Sequence, residues 1–198
     1  MKSKLFLTVL VLLINTLILN AQNYKADITK SDLYWKAEKI VGYHEGNISL
    51  KAGSLKIEKD KIISGSFTID MNTIVCTDLK DKEYNDKLTG HLKSSDFFDV
   101  AKFNTATFTI NKPVDISKAV TEIKGTLTIK GISKALNFKS NVIKEGNNYI
   151  FNANSIIVDR TIYDIRYGSG SFFSNLGDKA IYDEFNIKLK LSVSPSLN

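Results

Sequence analysis

The feature that most limits the fold of this chain is a two-residue alternation of apolar and polar side chains, repeated over much of its length. In GSFTIDM, Phe67, Ile69 and Met71 fall on one face and Ser66, Thr68 and Asp70 on the other. ATFTIN sets Ala106, Phe108 and Ile110 against Thr107, Thr109 and Asn111. EIKGTLTIK sets Ile123, Gly125, Leu127 and Ile129 against Glu122, Lys124, Thr126, Thr128 and Lys130. Leu136, Phe138 and Val142 make another row, Tyr149, Phe151 and Ala153 the next, and Phe185, Ile187, Leu189, Leu191 and Val193 the last. A period of two is that of a strand with one buried face. About eight such strands joined by short turns form an antiparallel sheet, closed into a barrel or folded into a sandwich.

Alternation does not say which face is inside, because a membrane barrel alternates too, with its apolar side towards lipid. Interior volume decides. A barrel of ~8 strands encloses only side chains or one small ligand. Lys124, Lys130, Lys139, Lys188 and Lys190 cannot share that lumen without counter-charges, so they face water and the apolar rows face inward. The expected fold is therefore all-β, a soluble antiparallel barrel. Its earlier strands are read at Ile28 to Trp35 and Val41 to Leu50, the latter broken at Gly53 and resumed by Leu55 and Ile57.

One stretch keeps a different rhythm. Between Asp78 and Val100, Tyr84, Leu88, His91 and Leu92 recur at helical spacing on one face. Asp78 is a candidate cap for the first turn. Ser95-Asp96 then opens a second short turn that presents Phe97 and Phe98. This insert needs an apolar surface to lie on, and the flanking strands supply it.

The chain opens with Lys2 and Lys4 ahead of an apolar run from Leu5 to Leu19, closed by the small Ala21. The pattern is that of a cleaved signal peptide over residues 1–21, with a single domain over 22–198. Loss of Lys2 and Lys4 takes the formal charge from +6 to +4. The lysines are scattered, so a nucleic-acid partner is not expected, while loose attraction to an anionic membrane surface stays open. Cys76 is the sole cysteine, so no internal disulfide forms, and it reads as a small buried hydrophobe.

Catalytic and metal patterns are sparse. His44 and His91 lie in no HxH or HExxH spacing, and both read as structural. Gly168-Ser169-Gly170-Ser171 lacks the frame of a nucleophile elbow and the closing residues of a phosphate loop. The carboxylates fit caps and turns, and Asp159, Arg160 and Arg166 fit structural ion pairs. No cofactor, metal or enzymatic activity is expected.

Several segments also resemble the YceI-like family: WKAEKIVGYHEG, GSFTIDMNTIVCTDL, KLTGHLKSSDFFDV with AKFNTATF, GTLTIKGISKALNF, and DRTIYDIRYGSGSFFSNLGDKAIYDEF. The resemblance runs from about Trp35 to Val193, with GHLKSSDFFDV its most specific part. Asn104 departs from it, standing where the family often has proline after the aromatic at Phe103. The resemblance implies a lipocalin-like barrel with a helix over one opening, a periplasmic or secreted location, and a long isoprenoid or similar lipid held inside.

Two functional readings follow. In the first, the barrel is a binding module. Its lining is Phe67, Ile69, Met71, Phe108, Ile110, Leu127, Ile129, Phe138, Tyr149, Phe151, Phe185, Ile187 and Leu189. Its mouth is Leu88, Leu92, Phe97, Phe98, Phe172 and Phe173. In the second, the same side chains fill the barrel and the protein acts through surface loops. There Phe172 and Phe173 meet a partner, a second copy of the chain among the candidates.

Overall fold

The structure, a computed structural model, describes residues 21–196. The expected leader lies outside them, apart from Ala21. Ten strands form one antiparallel sheet: β1 (Gln22–Ala26), β2 (Asp32–Lys39), β3 (Tyr43–Glu58), β4 (Lys61–Cys76), β5 (Thr105–Ile110), β6 (Val114–Asp115), β7 (Val120–Ile129), β8 (Ile132–Glu145), β9 (Asn148–Asp159) and β10 (Ile181–Pro195). Helix α1 (Lys82–Lys93) follows β4.

Eight of the strands close on themselves in the order β2-β10-β9-β8-β7-β5-β4-β3, with β3 returning to β2. The other two complete gaps. β1 pairs with β3 and β10 beyond the end of β2, so β1 and β2 act as one interrupted staircase strand. β6 pairs with the start of β4 where Pro113 has interrupted the run from β5. Closure leaves no long open edge, which is the usual way an all-β protein protects its backbone donors and acceptors.

The turns follow local chemistry. Ile129 and Ile132 pair across Lys130-Gly131, both at positive φ (51° and 74°), the twist that suits a two-residue hairpin. Glu58 and Lys61 pair across Lys59-Asp60 in the same way.

The apolar rows face inward as alternation requires, and Lys124, Lys139, Lys188 and Lys190 are exposed. Lys130 is half-buried, its ammonium donating to the Asp164 carbonyl. Packing is uneven along the barrel axis. Around β1 the end is solid: Ile62 and Val193 are 1% and 0% exposed, and the Tyr24 and Tyr149 rings meet edge to face at 5.4 Å. Towards α1 the inward side chains Ile69, Phe138, Phe185, Ile187 and Leu189 are only partly buried.

Some early boundaries differ from expectation. The first strands are Gln22–Ala26 and Asp32–Lys39, and Ile28 lies exposed in the turn between them. Asp27 bonds the Thr29 backbone and hydroxyl there, and its carbonyl accepts from Ser31, so local polar side chains outcompete the ladder. Gly53 does not break β3. It stays paired with Phe67, beside register shifts that bend the strand.

Gly46 serves a close approach. It pairs with Trp35 on one side and Cys76 on the other. The Trp35 indole N–H donates to the Val75 carbonyl at 3.1 Å, and a Cβ at Gly46 would fall 1.9 Å from that oxygen. Gly46→Ala is therefore expected to lose about 1–3 kcal/mol of stability. Gly90, in α1 with nothing within 4 Å of its added Cβ, is expected to gain about 1 kcal/mol as Gly90→Ala. Urea midpoints at constant m-value read both changes.

Candidate functional site

The partly buried side chains mark a hollow. A partly open cavity of about 200 Å³ occupies the α1 half of the barrel, and its accessible wall is entirely apolar. Leu55, Ile62 and Leu191 lie on its wall towards the solid end, and Leu92, Phe97, Phe98, Ile181 and Tyr182 on its wall towards the insert. The strands position this wall simply: every second residue of a closed sheet points at the axis.

Of the residues expected to line the barrel, Phe67, Ile69, Met71, Phe108, Ile110, Leu127, Ile129, Phe138, Phe151, Phe185, Ile187 and Leu189 all border the cavity. Tyr149 does not. It sits in the solid end, where its hydroxyl donates to Asp60 at 3.2 Å. Of the expected mouth, Leu92, Phe97 and Phe98 border the cavity, and Leu88 packs half-buried outside it. Phe172 and Phe173 lie elsewhere, 47% and 51% exposed, with Arg166 stacked over the Phe172 ring. The β9–β10 connection contributes Tyr167 instead. Its ring meets His91 at 4.5 Å, and His91 meets Phe97 at 4.9 Å, so three rings join the insert to that connection.

Leu33, Trp35 and Ala37 of β2 also border the cavity, as do Ile74, Ile156 and Val158. The β2 residues alternate cleanly in LYWKA, and a strand placed four residues later would have revealed them. Ile156 and Val158 were hidden by the register shift between Ile187 and Leu189, which slips the β9 pattern.

The helical insert is anchored by polar contacts that differ from expectation. Asp81, not Asp78, caps α1, accepting from the Tyr84 N–H at 3.1 Å. Tyr84 is 65% exposed, and the buried side chain of α1 is Leu92. Asp78 faces back to the sheet, accepting from the Glu45 N–H and the Cys76 thiol and bonding His44 Nδ1 at 2.9 Å. Burial pushes the Asp78 carboxyl up, but these hydrogen bonds outweigh it and hold the group below its ordinary value. The Cys76 thiol is pushed up by burial and by its bond to Asp78, so it stays protonated.

At the opposite rim, Arg160 is buried with its side chain 5% exposed. Its guanidinium donates to the carbonyls of Ile165 at 2.7 Å and of Ile181 and Tyr182 at 3.1 Å, and lies 3.6 Å from Asp183. This fork closes the 160–183 connection over the barrel. Burial lowers the Arg160 pKa from its ordinary value, with Asp183 and Asp159 opposing. Asp183 is pushed up by burial, yet the nearby Ser169 and Ser171 hydroxyls and Arg160 bring it below its ordinary value.

The family model for the YceI-like domain matches residues 24–193. The chain belongs to the YceI-like family. A UPF0312 protein of Vibrio vulnificus (strain YJ016) is 33% identical over 90 residues, 42% of this chain and 48% of the relative. A UPF0312 protein of Vibrio parahaemolyticus is 29% identical over 92 residues, with the same coverage. The chain thus spans about half the length of the curated relatives it matches. Among solved structures, Burkholderia cenocepacia BcnA superposes with a TM-score of 0.64 at 24% identity, covering 84% of this chain and 98% of that one. A polyisoprenoid binding domain from Saccharophagus degradans, described as implicated in plant cell wall breakdown, superposes with a TM-score of 0.61 at 16% identity, covering 87% and 98%. These likenesses show the fold, a lipocalin-like antiparallel barrel with one helical insert.

Within this YceI-like barrel, Arg160→Leu strands three carbonyls and a carboxylate, and is expected to cost about 3–5 kcal/mol of stability. Arg160→Lys recovers little, since an ammonium cannot form the fork. Because the Asp183 pKa is lowered on folding, its contribution is present above the ordinary value of 3.8 and lost as pH falls through the folded value. Asp183→Asn is expected to flatten that acid-side slope in urea titrations across the window.

Proposed function

We propose that this YceI-like protein is an exported, non-catalytic carrier that holds the chain of an isoprenoid or similar lipid in its barrel. One observation carries the reading: the core contains a partly open, wholly apolar hollow where a filled barrel would have packed side chains. An apolar cavity of about 150 Å³ takes a benzene-sized guest, and this one is larger. Each isoprene unit buried removes roughly 100 Å² of apolar surface from water, worth about 2.5 kcal/mol before ordering costs. A hydrocarbon brings no polar group that needs a buried partner, which suits a wall of carbon. The likeness to a polyisoprenoid binding domain supports the choice of guest.

Leu92, Phe97 and Phe98 border the hollow from the insert, not from the sheet, so a longer chain enters by displacing them without breaking a strand pair. The leader expected over residues 1–21 supports release into the periplasm or outside the cell. Loading there brings the mouth into transient contact with a membrane surface.

Mass spectrometry of organic extracts from the purified mature protein is expected to find a co-purifying long-chain apolar lipid. Leu127→Trp places an indole in the hollow. It is expected to lower the affinity for an apolar fluorescent probe by about tenfold or more while leaving the urea midpoint nearly unchanged. A filled core would instead lose about 1–3 kcal/mol by overpacking. Protein that carries no lipid, takes up no probe, and is destabilised by the tryptophan sinks the reading.

A further inference from the structure

Outside the hollow, the start of β3 and the end of β4 bring His44 against Cys76 and Asp78, which lie more than thirty residues later in the sequence. His44 Nδ1, Cys76 Sγ and a carboxylate oxygen of Asp78 lie within 4.8 Å of one another. His44 bonds Asp78 Oδ2 at 2.9 Å and the Cys76 thiol bonds Asp78 Oδ1 at 3.0 Å. We propose that these residues form a three-ligand site for a borderline-soft divalent ion, Zn²⁺ foremost.

Geometry favours it. Tetrahedral bonds of about 2.0 Å to nitrogen and oxygen and 2.3 Å to sulfur set these ligand atoms roughly 3.3–3.5 Å apart. The hydrogen-bonded pairs therefore need to open by less than about 1 Å, with the ion taking the place of two bridging protons. Charge favours it as well. A thiolate and a carboxylate balance a divalent cation, so the occupied site is neutral and stands at the barrel rim without a counter-ion. On binding, the thiol proton leaves to solvent. The imidazole proton moves from Nδ1 to Nε2 by exchange with water, so one proton is released per ion.

The donors are held in place by the backbone. Gly46, two residues after His44, pairs directly with Cys76. The Glu45 N–H fixes Asp78 Oδ1 at 2.9 Å. The Asn85 amide of α1 donates to the carbonyls of Cys76 and Leu79 at 3.0 and 2.9 Å, holding the β4–α1 connection. Such outer contacts orient metal ligands, and losing one typically costs roughly 10–100-fold in affinity. Cys76 is buried, while the His44 and Asp78 side chains are 28% and 19% exposed, so the cluster faces water on one side, where a fourth ligand completes the tetrahedron. Thiolate, imidazole and a single carboxylate select against Mg²⁺ and Ca²⁺, which want oxygen throughout. The site is independent of the lipid reading, since none of the three residues borders the hollow.

Cobalt reports it directly. Titration of Co²⁺ into reduced, tag-free mature protein is expected to give one equivalent per chain, with thiolate-to-cobalt charge transfer and the intense d–d absorption of a tetrahedral ion. Zn²⁺ is expected to displace it stoichiometrically. Cys76→Ser removes the charge-transfer band, and His44→Gln weakens cobalt binding by about 100-fold or more, direct ligands costing at least what outer-shell partners do. Circular dichroism checks that both variants fold. Should either fail to, the wild-type protein still decides: Zn²⁺ slows reaction of the Cys76 thiol with a disulfide reagent, and a chelator restores it. No charge-transfer band at millimolar cobalt, a band that survives Cys76→Ser, or thiol reactivity indifferent to zinc overturns the proposal and leaves the cluster as a hydrogen-bonded knot.

Discussion

Closure of the sheet is the constraint on which the rest of the structure depends. Eight strands return on themselves, and each must give both edges to a neighbour. The chain meets that demand with two broken strands. β1 takes over from β2 between β3 and β10, and β6 takes over along β4. Once every edge is paired, side chains at alternate positions have nowhere to point but the axis, and the polar half of each row is forced outside. The lysine-rich exterior and the aromatic interior are two consequences of one ladder.

The interior those strands enclose is wider than their side chains fill. At the β1 end, Tyr24, Tyr149, Ile62 and Val193 pack solidly. Nearer α1 the wall stands back and leaves about 200 Å³. At ~24 cal/mol per Å³, an empty space of that size costs on the order of 5 kcal/mol, comparable to the whole stability of many domains. Larger side chains at Ala37, Ala106 or Leu33 would have removed it. On the proposed reading, an apolar guest would return the contacts that this void lacks.

The two rims of the open end are secured differently. On one side a buried guanidinium gathers three carbonyls and a carboxylate from the 160–183 connection. On the other, Asp78 gathers a backbone N–H, a thiol and an imidazole at the point where β4 gives way to α1. Between them the rings of His91, Phe97 and Tyr167 bridge insert and connection. Polar knots hold the frame, and the softer aromatic contact spans the space between them.

Much of this could be read from the chain alone. Period-two alternation over Phe67–Met71, Ala106–Ile110 and Ile123–Ile129 determined strands, and the lysines opposite determined which face is inside, because charge cannot be packed into a small lumen. The helical spacing of Leu88, His91 and Leu92 located the insert. What the sequence could not reach were contacts between distant segments. Whether Asp78 caps a helix or turns back to His44 depends on the β3–β4 register. Whether Phe172 or Tyr167 packs on the insert depends on how Arg160 folds its loop. Whether the barrel is filled or hollow depends on its radius, set jointly by all eight strands. Alternation is local and survives in the sequence, whereas a volume enclosed by many strands exists only once they have met.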